Sequence, residues 1–211
     1  MSRNAVPSPI RIALATTNRH KAREIEAILA PYGVEVAVPA SLPAVIEDGA
    51  TFRDNAIRKA VSAAHALGRP AMADDSGIEV EALCGEPGVR SARYAGEHAT
   101  DAENTARLLA ELALRGLIDP KAAFVCAAVI VDANGAVLFE ASGRVEGVVR
   151  GPPGGTNGFG YDPVFHYTGP RHPAPGVRFS ELAPAEKDAL SHRGQAFRAL
   201  GQEIRALRTN L

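Results

Sequence analysis

Cysteine is scarce in this chain of 211 residues, which has two, Cys84 and Cys126. Each sits in a mostly apolar neighbourhood, and their spacing fits no zinc or redox motif. Small core residues in a reducing cytoplasm are therefore expected. Long apolar runs are also missing. No stretch approaches the roughly 20 residues of a membrane helix, and the opening "MSRNAVPSPI" lacks the apolar centre of a secretion signal. Residues 1–10 read as a loose tail, and the chain reads as cytoplasmic with no membrane partner. Charge of one sign is lacking too, since the formal net charge is -1. Without a basic field, broad binding of nucleic acid is not expected, although a small anion needs only local positive charge.

Several catalytic signatures are absent as well. There is no G-x-x-x-x-G-K-[ST] loop, no H-E-x-x-H or C-x-x-C site and no G-x-S-x-G elbow. A Walker-type phosphate loop, a zinc centre and a serine-hydrolase triad are all unsupported.

What is there has the balance of a soluble globular protein, 46% apolar and 22% charged, so residues 11–211 are expected to fold as one α/β unit. "RIALAT" (11–16) is a strand candidate. In the following stretch Ile25, Ile28 and Leu29 recur at i, i+3, i+4, which predicts an amphipathic helix stopped by Pro31 and Gly33. "VEVAVP" (34–39) alternates as a second strand, so the opening is β-α-β. Thr51 with Asp54, and Thr100 with Glu103, are capping-box patterns that open two further helices. On the first of these, Asn55, Lys59 and Ser62 share a face. "PAMA" and "IEVEAL" read as two short strands either side of "DDSG", and 84–99 as a long irregular loop. Asn134-Gly135 between two apolar runs predicts a hairpin, which makes the sheet mixed. "APAEKDAL" and "SHRGQAFRALGQEIRAL" are a short and a longer helix, the second capped by Ser191.

Five stretches carry candidate chemistry, and each has an ordinary structural reading beside the functional one. In "LATTNRHK" a strand gives way to a helix, where N–H groups and the side chains of Thr16, Thr17, Asn18 and Lys21 suit an anion; simple capping by Thr17 or Asn18, with Arg19, His20 and Lys21 in solvent, is the other reading. Lys59 is either solvated or a phosphate contact. Glu47, Asp48, Asp74 and Asp75 are oxygen donors of the kind Mg²⁺ uses, while "DDSG" alone also suits a type I turn. In "GGTNGFGYDP" the glycines permit close backbone approach and Phe159 or Tyr161 suits base stacking, or the loop merely packs core aromatics. "EKDALSHRG" gathers Lys187, Ser191, His192 and Arg193, donors suited to phosphate or to base-edge acceptors. Together these suit a Mg²⁺-dependent enzyme acting on a nucleotide.

The order of "LATTNRHK", "TFRDNAIRKA", "ADDSGIEVEALCGEPGVRSARYAG", "GFGYDPVF" and "EKDALSHRGQA" closely resembles the Ham1/RdgB family, the noncanonical purine NTP pyrophosphatases. The resemblance runs from about residue 11 to residue 200. It implies an elongated mixed α/β sheet flanked by helices, in two lobes around a central cleft, and a homodimer. It implies Mg²⁺-dependent hydrolysis of ITP, dITP or XTP to the monophosphate and pyrophosphate. By the same resemblance, Thr16, Thr17, Asn18, Arg19, His20 and Lys21 form the triphosphate turn and Lys59 a second phosphate contact. Asp75 is the proton acceptor and a metal ligand, with Glu47 the other metal ligand. Ser76 contacts substrate, and Phe159, Gly160, Tyr161, Asp162, Lys187, His192 and Arg193 match the nucleoside side. Glu81 stands where the family often has Asp, and Arg90 where an aromatic is common. Asp74 is expected to support Asp75, with Ser76 and Gly77 as a tight turn presenting the pair. Two alternatives are a Maf-type pyrophosphatase of other nucleotides and a nucleotide-binding module without turnover.

Overall fold

The computed structural model describes residues 9–209. The expected tail lies outside the described residues up to Ser8, and the first strand already begins at Ile10. The opening unit is β1 (Ile10–Leu14), α1 (Arg19–Leu29) and β2 (Val34–Ala37). Asn18 caps α1, and the helix gives way to a 3-10 turn carrying Pro31, closed by Gly33 at φ 70°. Next come α2 (Phe52–Leu67) and α3 (Asp101–Leu114), with both predicted capping boxes formed. Between them runs β3 (Ala71–Val80), and beyond them β4 (Lys121–Val131), β5 (Val137–Val149) and β6 (Phe165–Tyr167). The Asn134-Gly135 hairpin joins β4 to β5, as expected. The chain closes with α4 (Pro184–Leu190) and α5 (His192–Thr209), and the Gly194 N–H donates to Ser191 Oγ at 3.0 Å, the predicted cap.

The six strands form one mixed sheet in the order β2-β1-β3-β4-β5-β6. β1 pairs parallel with β2 and β3, and the remaining neighbours are antiparallel. Small alanines on α2 (56, 60, 63 and 64) pack against Ala71, Ala73 and Val129 on one face. Ile25, Leu29, Phe197 and Leu200 of α1 and α5 pack on Met72, Cys126 and Ile130 on the other. A third cluster, around Phe124, Phe165 and Phe179 with Leu108 of α3, fills the opposite end of the long strands. These two ends are the counterparts of the expected lobes.

Two expectations are corrected here. "AMADDSGIEV" is one continuous strand, not two strands and a turn: ten consecutive residues of β3 pair with β4, Asp74 opposite Ala128 and Gly77 opposite Val125. Ladder hydrogen bonds with β4 and cover from helices outweigh the local turn preference of Asp and Gly. Cys126 is in the core as expected, but Cys84 is exposed, because it closes the 3-10 turn Glu81–Leu83 with φ 54°.

The functional consequence lies at the end of β1. Its pairing with β3 stops at Leu14–Met72, and the Ala15 N–H makes one more bond to the Met72 carbonyl at 2.8 Å. Among the described residues no strand continues along that edge of β3 from Asp74, which is covered again only near residues 78–80 by Ser91 and a bridge from Glu79 to Pro87. A cleft opens at the carboxyl end of β1, where α/β sheets commonly receive ligands.

Candidate active site

The cleft encloses about 630 Å³ and is lined by the β1–α1 turn, the segment before α2, one face of α2, the middle of β3, the start of α3 and the loop before β6. Successive side chains of a strand point to opposite faces. Asp75 therefore faces α2, where its Oδ1 accepts from Lys59 Nζ at 3.0 Å and its Oδ2 from Asn55 Nδ2 at 3.1 Å. Asp74 faces α1 and α5, where it pairs with Lys21 at 3.1 Å and Arg193 at 3.2 Å. The like-charge problem of two adjacent acids is thus solved by the pleat, with each carboxylate supplied with its own cations.

Glu47 joins the Asp75 side. Its carboxylate lies 3.1 Å from the same Lys59 ammonium, so two acids converge on one cation. The segment carrying Glu47 is anchored twice. Arg93 donates to the Glu47 carbonyl at 2.7 Å, and the Gly49 N–H donates to Asn55 Oδ1 at 2.8 Å. Asn55, wholly buried, therefore ties this loop to Asp75.

On the Asp74 side, Arg193 is almost fully buried and its donors are committed to Glu24, Asp74 and Ser76 Oγ. Lys187 pairs with Glu24 and Asp162. Phe159 projects among these cations, with Lys187 Nζ 4.6 Å and Arg193 5.6 Å from its ring centroid, and with His20 stacked at 5.3 Å. Cations over the ring face are held by its quadrupole. His192 is buried and stacks on Phe124 at 4.8 Å.

Burial sets the protonation of these groups. It would raise Asp74, but Lys21, Arg193 and Lys59 outweigh it and hold that carboxyl far below the usual range. Burial raises Asp75 above the usual range, against the pull of Lys59, which makes it the better proton acceptor of the pair. Burial, with Arg193 and Lys187 nearby, keeps His192 neutral.

The donor set bears on a metal. Among the described residues no three His, Cys, Asp or Glu converge as a closed cage. Two carboxylates, Glu47 and Asp75, face the same point, and hard cations that keep water and bind substrate phosphates need no more than that. Four cations in the cleft wall (Lys21, Lys59, Lys187, Arg193) are paired with five carboxylates (Glu24, Glu47, Asp74, Asp75, Asp162). One negative charge is left over, and Asp101 adds another to the lining, so a divalent cation would offset the repulsion that a polyphosphate meets there. The residues fit a divalent cation.

Over residues 12–203 the sequence matches the Ham1 family. The chain belongs to that family. It is 47% identical to a dITP/XTP pyrophosphatase of Syntrophobacter fumaroxidans over 92% of this chain and 81% of the relative. It is 45% identical to another from Methylococcus capsulatus, over 93% of this chain and 97% of that one. Among solved structures, a HAM1 protein from Coxiella burnetii superposes with a TM-score of 0.81 at 39% identity, covering 92% of this chain and 98% of the other.

Most residues suggested by the Ham1 resemblance meet at this cleft: Thr16, Thr17, Asn18, Lys21, Glu47, Lys59, Asp75, Ser76, Phe159 to Asp162, Lys187, His192 and Arg193 all line it. Arg19 is exposed and does not, and His20 reaches it only through Phe159. Asn18 also fills the role of helix cap, accepting from the N–H groups of His20 and Lys21, so those two donors are already used. Sequence reasoning missed Glu24, Asn55, Ser91, Asp101 and Asn104. Asn55 alone left a signal, by sharing a helix face with Lys59.

Proposed function

We propose that this protein hydrolyses the noncanonical purine nucleoside triphosphates ITP, dITP or XTP to the monophosphate and pyrophosphate. The supporting observation is the convergence of Glu47, Asp75 and Lys59 on one wall of a cleft whose other wall carries Phe159. The names of relatives at 45–47% identity over most of both chains, dITP/XTP pyrophosphatases, support dITP and XTP among these substrates.

Glu47 and Asp75 would hold Mg²⁺, which supplies Lewis-acid stabilisation of charge on the phosphate oxygens. Water attacks the α-phosphorus, the α–β bridging P–O bond breaks, and pyrophosphate departs with the bridging oxygen. A carboxylate oxygen of Asp75 takes the proton of that water. Its two oxygens are oriented by Lys59 and Asn55, and each keeps a second lone pair for the proton. Lys21, Thr16 and Thr17 orient the phosphates, since this chemistry asks mainly for positioning and charge stabilisation. The base stacks on Phe159, and donors beside it, with Lys187 nearest the ring, suit the O6 acceptor where adenine presents an amino donor. A mismatched edge leaves buried groups unpaired, a discrimination that reaches about 10⁴.

We read the protein as a cytoplasmic homodimer, on the family resemblance and on the location of the nucleotide pool it would clear. The test is incubation with ITP and Mg²⁺, with product identification, beside XTP, GTP, ATP and pyrimidine triphosphates. Pyrophosphate with IMP, at a kcat/KM far above that for ATP and GTP, is expected. Equal rates on ITP, GTP and ATP, a preference for pyrimidines, or ITP binding with no pyrophosphate released would overturn the reading.

A further inference from the structure

Phe159 can present a ring to a nucleobase only if its loop is held in place, and the start of α3 does much of the holding. The Gly160 N–H donates to Asp101 Oδ2 at 2.7 Å, and Thr105 Oγ1 donates to the Gly160 carbonyl at 3.3 Å. Asp101 and Thr105 are one helical turn apart and share a face, so they clip both backbone groups of the residue next to Phe159. Gly160 has φ +60°, and Asp162 holds the residue before it from within the loop, its Oδ2 accepting the Phe159 N–H at 2.8 Å and its N–H donating to the Phe159 carbonyl at 3.2 Å, so Gly160 is the point at which α3 joins that turn. The same helix start is itself fixed. Asn104 accepts from the Ala95 N–H at 2.8 Å and donates to the Ala92 carbonyl at 3.0 Å, and Tyr161 OH donates to the Ser91 carbonyl at 2.8 Å. The 3-10 segment Gly88–Arg93, the start of α3 and the Phe159 loop are thus one hydrogen-bonded unit, and Arg93 links it across to Glu47.

We propose that Asp101 is a positioning residue for base specificity, acting through Gly160 to set the plane and height of Phe159 against the nucleobase. The inference rests on the reading of Phe159 as the base platform. Asp101 is the solvent-facing member of the unit, whereas Asn104, Thr105 and Ser91 are buried. Its replacement therefore separates the clip from the fold. As an acid in the first turn of α3, Asp101 also favours the helix dipole, and that role alone would change stability without changing recognition.

The experiment compares Asp101→Ala and Asp101→Asn with the parent and with Phe159→Leu. It measures KM and kcat for ITP and GTP, the calorimetric Kd of IMP, and the melting temperature. Asp101→Ala is expected to raise KM for ITP and Kd for IMP about five- to tenfold, the loss of one charge-assisted hydrogen bond. It should leave kcat within about twofold and narrow the preference for ITP over GTP. Asp101→Asn keeps an acceptor oxygen and should restore most of the affinity. Parent-like KM, Kd and base preference in Asp101→Ala, with or without a lower melting temperature, would overturn the proposal. So would equal impairment of the two variants, which would make charge rather than the bond responsible. If Phe159→Leu weakens IMP while Asp101→Ala does not, the clip alone fails. If Phe159→Leu binds IMP as the parent does, the platform reading fails and takes this inference with it.

Discussion

Asp74 and Asp75 are neighbours in the chain but face opposite sides of the sheet, Asp74 toward Lys21 and Arg193 and Asp75 toward Asn55 and Lys59. Their substitutions should therefore have separable effects. Asp74→Ala leaves the buried Arg193 guanidinium with Glu24 as its remaining carboxylate partner, and breaking such a buried pair typically costs about 3–5 kcal/mol. Urea unfolding should show a loss of that size. Asp75→Asn keeps Lys59 paired with Glu47, so it should melt close to the parent while turnover falls by about 10²–10⁴, the usual contribution of a proton acceptor. A rate within tenfold of the parent would remove Asp75 from that role.

Lys59 holds Glu47 and Asp75 together. Lys59→Met leaves two carboxylates facing each other without their shared cation, which is unfavourable at neutral pH. The variant should melt lower than the parent in chelator, and added Mg²⁺ should raise its melting temperature by more than it raises the parent's. Ligand binding to the folded state alone stabilises it by mass action, so the comparison reads cation affinity without relying on activity. An identical Mg²⁺ response in both proteins would remove Glu47 and Asp75 as the cation site.

Much of the frame behind these sites is written in local sequence. Both capping boxes, the Asn-Gly hairpin and the Ser191 cap depend on residues within a few positions of one another, and all form. The course of "DDSG" was not legible in this way. Its strand conformation depends on ten pairs with β4, and its charges depend on Arg193, 119 positions away in the chain. Asp101 and Asn104 read in sequence only as a helix start, because their partners are backbone groups of loops elsewhere in the chain. Cys84 misled for the opposite reason. Its neighbours in sequence are apolar, but the left-handed backbone at that residue turns the side chain outward.

His192 makes the stability of the fold depend on pH. Burial keeps the folded imidazole neutral, well below its ordinary pKa, whereas in the unfolded chain it titrates near 6.5. Below that value the unfolded chain binds a proton that the folded one refuses, so acid favours unfolding. The contribution is complete above about pH 7 and is lost as pH falls, by at most about 1.4 kcal/mol per unit for one proton. Denaturant midpoints should fall more steeply from pH 8 to 5 in the parent than in His192→Phe. The difference between the two isolates His192 from Asp188, whose carboxyl is raised to about 6 by burial and whose contribution has the opposite sign. The Phe ring can keep the stack on Phe124 without titrating. An unchanged slope in the variant would assign the dependence elsewhere.

Gly77 closes the motif that reads as a turn in the sequence, and its reason for being glycine is packing against the site. A Cβ at this position would lie 2.2 Å from Ser91 Oγ and 2.6 Å from the Gly88 carbonyl. Without one, the 3-10 segment lies close against β3, and Ser91 Oγ accepts the Ile78 N–H at 2.9 Å. Gly77→Ala should push Gly88–Arg93 away from the strand, with a loss of about 1–3 kcal/mol for overpacking. Because Arg93 in that segment holds the Glu47 carbonyl, kcat should fall together with stability. Adding Ser91→Gly removes the nearer clash but leaves the Gly88 carbonyl, so rescue should be partial. A Gly77→Ala protein with parent stability and parent kcat would show that the segment yields freely and does not position Glu47.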